Sequence, residues 1–382
     1  MKLDVNLCCG CGGCAAVCPF GAITMETAAN GFKYPKVDKS ACTECGLCEK
    51  ACNFKAFVPT GHDPKCYAAR HVDCSELQTS RSGGFFMAVC KYVIEKGGVV
   101  FGCTLDENLS VVHACAETYE DCKKFKGSKY VQSDLKDCFA QCEKHLRNGR
   151  WVLFSGTGCQ VHGLLGFLRT KKVPQDTLIT MDLVCHGAPS PGVWKTYLEV
   201  FQNKEGRKIT MVDFRDKEIN GWADHIEKYV LDDGTSMHNK KWTTVFYRHI
   251  LFREACYHCK YTTPERESDF TIADYWGIGN NAPEFNDNKG CSLVLVHSDK
   301  AQMVFEAVKP YVCFAETKLV TSMQPQLRHP IWKGWDYGVF WNRFTKNPQK
   351  AVRMWFYPSQ GTQLLWKAER TAKDMLKKLK KH

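Results

Sequence analysis

Eight cysteines crowd into the first 52 residues as two copies of one spacing: Cys8, Cys11, Cys14 and Cys18, then Cys42, Cys45, Cys48 and Cys52. In a Cys-x-x-Cys-x-x-Cys-x-x-x-Cys run, three close thiolates wrap one corner of an iron-sulfur cubane and the fourth reaches across to another cluster. On this reading Cys8, Cys11, Cys14 and Cys52 hold one 4Fe-4S cluster, and Cys42, Cys45, Cys48 and Cys18 hold a second. Pro19 follows Cys18, but Asn53 stands where the second copy would carry its proline, which loosens a turn and removes no ligand. Zinc sites and a disulfide framework also use paired cysteines, yet two interlocking eight-cysteine copies favour cubanes. Cys9 is the odd member and reads as a bystander. A chain built in this way carries electrons.

The rest of the chain is long enough for two or three domains, and an apolar content of 44% with 12% aromatics is that of a well-cored protein. Met1-Lys2-Leu3-Asp4 lacks the apolar segment of a signal peptide, and no apolar run approaches the roughly 18 residues of a membrane span. The expected location is therefore cytoplasmic, and an odd total of 23 cysteines fits a reducing compartment.

Beyond a linker-like Val58 to Pro64, Ser82-Gly83-Gly84 opens an apolar helix from Phe85 to Lys96, which Gly97-Gly98 stops before a strand from Val99 to Gly102. A glycine-rich loop feeding a helix N-terminus has the geometry of an anion site, although many such loops are only turns. Trp151 to Phe154 reads as a strand, Gly156-Thr157-Gly158-Cys159 as a loop, Gln160 to Arg169 as a helix and Leu178 to Val184 as a parallel strand. This βαβ unit brings Cys159 and Cys185 to the same carboxyl edge of one sheet, where α/β proteins place ligands. Cys256 and Cys259 form a Cys-x-x-Cys pair ahead of a strand from Phe270 to Asp274. The four thiols suffice for a third 4Fe-4S cluster; half a zinc site and two buried hydrophobes are the competing readings. The net charge of +11 falls to roughly +5 once three clusters of about −2 are counted, so a nucleic-acid footprint is not expected. Residues 364–382 read as a basic amphipathic helix docked on the body.

Ser82-Gly83-Gly84, Gly127-Ser128-Lys129-Tyr130-Val131-Gln132-Ser133, Gly156-Thr157-Gly158-Cys159-Gln160-Val161, Cys185-His186-Gly187-Ala188-Pro189-Ser190-Pro191, Phe214-Arg215-Asp216-Lys217 and Cys256-Tyr257-His258-Cys259-Lys260-Tyr261-Thr262 occur in that order. With them the chain resembles the beta subunit family of F420-reducing hydrogenases and F420-dependent dehydrogenases, in the bacterial branch that begins with a dicluster ferredoxin. The resemblance covers residues 1 to about 330. It implies a non-covalent FAD beside a 4Fe-4S cluster held by Cys159, Cys185, Cys256 and Cys259. It places Ser82, Gly83 and Gly84 at the pyrophosphate, and Thr157, Gly158 and Gln160 along the isoalloxazine. Lys129 supplies a positive charge near phosphate or reduced flavin, or is a solvated loop lysine. His186 donates to a substrate or flavin oxygen, or is satisfied by backbone; Asp274 is a flavin contact or a structural cap. The tryptophans beyond residue 330, namely Trp332, Trp335, Trp341, Trp355 and Trp366, are expected to cover the core.

The expected fold class is α+β, a bacterial dicluster ferredoxin-like module followed by an α/β flavin-binding domain. Its divisions are a ferredoxin domain over 1–58, the N-terminal region of the F420 beta-type subunit over 65–148, its C-terminal flavin and cluster domain over 149–325 and an aromatic, basic extension over 326–382. The expected function is an iron-sulfur flavoprotein oxidoreductase, with hydride chemistry at FAD and single electrons through the clusters. Expected partners are ferredoxin or another redox protein and a deazaflavin or other small molecule. A ferredoxin-dependent reductase of an organic substrate, glycan-linked molecules among the candidates, and a non-catalytic electron-relay subunit of a larger complex are the alternatives.

Overall fold

The computed structural model describes residues 4–52, 61, 63–362, 364 and 366. At its N-terminal end a short helix, Gly13–Ala16, a hairpin of β1 (Ile23–Thr27) and β2 (Lys33–Val37), and a second short helix, Leu47–Lys50, make the cysteine-bearing module. The two cysteine copies fold alike. Gly12 and Gly46 precede their helices at φ 75° each, and one residue before each second cysteine Gly10 (φ 69°) and Glu44 (φ 55°) are also left-handed. The repeated spacing is thus a repeated backbone cradle, and only Glu44 adopts it without the freedom of glycine.

The body is one eight-stranded sheet that draws strands from both sides of residue 148. Its strands are β3 (Lys65–His71), β4 (Val99–Leu105), β5 (Val111–Ala116), β6 (Val152–Thr157), β7 (Leu178–Leu183), β11 (Phe270–Asp274), β12 (Ser292–Val296) and β13 (Val312–Thr317). The order is β13-β3-β12-β11-β7-β6-β4-β5; β4, β6, β7 and β11 run parallel at the centre and antiparallel pairs flank them. Buried on both faces, these central strands read as nearly continuous apolar runs such as Val152-Leu153-Phe154 and Leu178-Ile179. A smaller meander of β8 (Ile209–Asp213), β9 (Glu227–Leu231) and β10 (Ser236–Asn239) packs with the helices Pro191–Glu205, Tyr337–Lys346 and Pro348–Phe356 around Trp194, Tyr197, Trp242 and Phe356.

The βαβ unit is present, but Gly156 to Cys159 is not a loop. β6 continues through Thr157 and the helix Gly158–Thr170 starts at the next residue, because the Gln160 side chain turns back to accept from the Thr157 amide at 3.0 Å and consumes the turn. The tryptophan expectation is corrected in part. Trp355 is buried, whereas Trp332 and Trp335 are 70% and 64% exposed. They fall in the irregular segment ahead of the Tyr337 helix and line a surface cavity instead of the core. The expected terminal helix lies almost wholly outside the described residues. Among the described residues no helix is long and apolar enough to cross a membrane.

Candidate redox site at the sheet edge

A cavity of about 640 Å³ opens at the carboxyl ends of β4, β6, β7 and β11, bounded by Cys103, Thr157, Leu183 and Asp274. That is the crevice expected of an open parallel sheet. Cys159, in the first turn behind β6, and Cys185, just past β7, line it together with Cys256 and Cys259 from a short 3-10 turn, Glu254–His258, and its exit. The structure thus brings the four predicted thiols into the lining of one cavity. Three have a backbone donor aimed at the sulfur: Gly187 N–H at Cys185, Ala188 N–H at Cys256 and Tyr261 N–H at Cys259. The Thr157 hydroxyl lies 3.2 Å from the Cys159 sulfur. Burial nevertheless pushes the Cys256 and Cys259 thiols up to about 12. Such thiols ionise only when a strong cationic centre takes them, and the amide donors are then aimed at thiolates.

The same pattern recurs in the module, where Gly10, Gly13 and Ala15 N–H groups bond the sulfurs of Cys8, Cys11 and Cys14. Cys52 lies within Coulombic reach of both Cys8 and Cys14, as the crossed ligand assignment requires. In the second copy Cys48 is likewise bonded, by Glu49 N–H, while Cys45 is exposed and Cys18 and Cys42 are half-buried. Among the described residues no three His, Cys, Asp or Glu side chains converge on a single ion position. A cubane needs no such convergence, since each thiolate takes a different iron. The donor set fits the clusters.

The Ser80–Phe85 loop and the start of the helix Phe85–Glu95 also line the cavity. Gly84 precedes that helix at φ 80° with no side-chain cap, leaving the first amides to solvent or ligand. Ser82 and Gly83 are committed elsewhere: the Ser82 hydroxyl donates to Cys291 O at 2.7 Å, and the Gly83 N–H to the Ser292 hydroxyl at 3.0 Å. A Cβ at Gly83 would collide with the Ala69 carbonyl oxygen. The first glycine therefore lets the loop lie on β3 and β12, and the second faces the cavity.

The Lys129 side chain is half-buried and its ammonium is enclosed, donating to Lys124 O at 3.2 Å and Lys126 O at 2.5 Å; burial pushes it down to about 8. It is not a solvated loop lysine. His186 pairs ring to ring with His249 at 2.8 Å, not with backbone, and burial pushes it down to about 3, so it is neutral. Asp274 caps nothing; it forms an ion pair with Arg215, which is 1% exposed, and accepts from the Trp222 indole at 2.8 Å. Gln160 is occupied by Thr157 and by Ser133, to which it donates at 2.8 Å. Gly158 admits Arg266 and Tyr261, each 3.0 Å from where its Cβ would be.

Several functional positions escape a reading of spacing. Arg253, 2% exposed, donates to Cys8 O at 3.2 Å, Lys33 O at 2.9 Å and the Gln132 side chain at 3.1 Å, clamping module to body. Gly163 and Gly166 let the module lie on the helix that starts beside Cys159, with Cys11 Sγ 2.9 Å and Ala51 O 2.5 Å from their would-be Cβ atoms. Cys9, read as a bystander, is 8% exposed and lines the cavity with the four thiols. Arg81 Nε and Arg215 Nε, on residues lining the cavity, are buried donors without a partner in the chain. They fit an anionic, acceptor-rich cofactor such as a flavin nucleotide. Gly127-Ser128-Lys129 and Arg215 belong to two of the ordered sequence motifs, and that order is the signal by which they can be found.

Residues 149–320 match the family described as the C terminus of the coenzyme F420 hydrogenase/dehydrogenase beta subunit, and residues 7–56 match the 4Fe-4S dicluster domain. No curated protein matches the chain. A chain of the F420-reducing NiFe hydrogenase complex from Methanosarcina barkeri is similar in structure, with 17% identity over 78% of this chain and 93% of that one and a TM-score of 0.47.

Proposed function

We propose that this chain, which belongs to the coenzyme F420 hydrogenase/dehydrogenase beta subunit family through residues 149–320 and carries a 4Fe-4S dicluster domain over residues 7–56, is a flavin-dependent iron-sulfur oxidoreductase. The observation that carries this reading is one cavity at the sheet edge lined both by four half-buried thiols and by an uncapped helix N-terminus. Bound FAD would supply hydride chemistry and release electrons singly to clusters that each cycle one electron.

The chain's own contribution is holding and orienting. Gly84 and the following amides, with Arg81, hold phosphate; Lys129 adds positive charge and Arg215 an unpartnered Nε–H donor at the cavity lining. Cys159, Cys185, Cys256 and Cys259 hold a third cluster, and the amides of Gly187, Ala188 and Tyr261 offset its negative charge. Neutral His186 is fixed through Nε2 by His249, which leaves Nδ1 as the ring nitrogen to offer or accept one proton, depending on tautomer. The Gly158–Thr170 helix carries Cys159 and receives Cys11 against Gly163, so the first module cluster would be the inner member of the path and the second, with exposed Cys45, the outer one. A redox protein such as ferredoxin would dock there.

A second reading, reduction of an organic substrate other than a deazaflavin, is favoured by one feature. A second cavity of about 890 Å³, lined by Trp332, Trp335, Lys240 and Lys333, shares His225, Tyr247 and Trp276 with the first and gives a polar, aromatic approach to it. Both readings meet the same test. Protein purified without oxygen is expected to contain about twelve irons and one FAD per chain. About eight irons without flavin would reduce the chain to a dicluster carrier and overturn the sheet-edge site.

A further inference from the structure

The Cys9 sulfur lies within hydrogen-bonding reach of the side chains of both Cys11 and Cys159, and it shares the cavity lining with Cys159 and Cys259. Cys11 belongs to the module and Cys159 to the sheet edge, so one thiol touches a ligand position on each side of the junction. Its place is built, not incidental. The Gln132 side-chain amide donates to Cys9 O at 2.7 Å, and Arg253 holds Gln132 and the neighbouring Cys8 carbonyl. Gly10, next along, is left-handed at φ 69°, and any Cβ there would stand 2.5 Å from the Arg253 guanidinium. That guanidinium lies over the rings of Phe32 and Tyr34, with centroids 4.6 and 4.5 Å away. The chain therefore fixes the backbone at 8–10 from three elements, and the Cys9 sulfur with it.

We propose that Cys9 is a positioning residue whose single S–H is shared between the thiolates of Cys11 and Cys159, and that it sets the relative potentials of the two clusters they ligate. This rests on the third-cluster reading above. A thiol has one hydrogen, so it donates to one sulfur at a time. The acceptor that holds more negative charge wins it, so the bond follows the electron: reducing one cluster draws the S–H to its ligand and stabilises that reduced state. Hydrogen bonds to cluster sulfurs raise potential in this way. No bond to iron is made or broken, and the electron that leaves one cluster reduces the other.

The test is an anaerobic EPR-monitored redox titration of the iron-loaded full chain as wild type, Cys9→Ala and Cys9→Ser, with iron counted in each. In C9A the clusters ligated by Cys11 and Cys159 are expected at more negative midpoints with the wild-type iron content, and C9S, which keeps a donor, is expected to restore both. Unchanged midpoints in C9A overturn the proposal. So does the loss of about four irons in C9A, which would make Cys9 a ligand in its own right. Failure of the third-cluster reading appears separately, as about eight irons in the wild type, and removes the Cys159 side of the shared bond.

Discussion

Asp274 and Arg215 meet across 59 residues of sequence at the rim of the redox cavity, and their pairing is a charge problem solved inside the protein. Burial pushes the Asp274 carboxyl up, but the Arg215 guanidinium, with the Trp222 indole, outweighs it and holds the group below the usual carboxylate range. The native pKa lies below the unfolded one, so the pair's stabilisation is complete above about pH 4 and is lost as pH falls through the lowered native value. Asp274→Asn keeps the shape, and its amide oxygen still accepts from Trp222. It leaves Arg215 charged and buried. D274N is expected to lower the unfolding free energy by about 3–5 kcal/mol and to remove that acid-side dependence, read from denaturant midpoints between pH 3 and 7. A loss below about 1 kcal/mol would show that Arg215 finds another counter-charge. The sequence placed Asp274 at the end of a strand correctly and left its role open, because Arg215 and Trp222 reach it only through tertiary packing.

At the scale of elements, Ser190 is the joint between module and body. It follows Cys185 to Pro189 and caps the helix Pro191–Glu205, accepting from Gly192 N–H at 3.1 Å and Val193 N–H at 3.3 Å, with proline at the first helical position. The same hydroxyl donates to Asn30 O at 2.6 Å in the β1–β2 turn, where Gly31 approaches Gly192 so closely that a Cβ would stand 2.5 Å away. Ser190→Ala removes both roles and is expected to cost about 1–2 kcal/mol, with faster amide exchange at Gly31 and Phe32 than elsewhere in the module. Equal exchange in variant and wild type would mean that Arg253 alone holds the hairpin. The βαβ unit and the thiols at its carboxyl edge were legible because apolar periodicity and cysteine spacing are short-range signals. The docking of Cys9, Arg253, Gly163 and Gly166 was not, since each acts through contacts more than a hundred residues away, and a cysteine outside the repeat spacing carries no mark of its neighbours. The boundary at Thr157 was missed because glycine on both sides imitates a turn, while Gln160 makes the turn unnecessary.

For the whole molecule, the two halves owe their folding to different sources. The sheet is flanked by broad apolar clusters, one around Phe85, Phe270 and Phe305 and another around Phe101, Phe154 and Phe167. The module's buried large side chains are few, chiefly Val17, Ile23 and Phe32, and a chain segment of that size rarely gains enough from such a core to fold alone. Its left-handed glycines and Glu44 shape a backbone that is useful only around clusters, and its thiols must lose protons to bind them, so binding free energy there is folding free energy. Stripping iron from anaerobic protein with a chelator is expected to leave the eight-stranded sheet protected while residues 4–52 become open to protease and their amides exchange rapidly. Cleavage should fall in the module, leaving a core fragment that begins near β3. Restored iron and sulfide should restore protection in the module, with the Gln132–Arg253 clamp re-forming on Cys8 and Cys9. A module that stays protected without iron would locate its stability in the contacts of Arg253 and Ser190 with the body, and the clusters would then be passengers in a fold the sheet already holds in place.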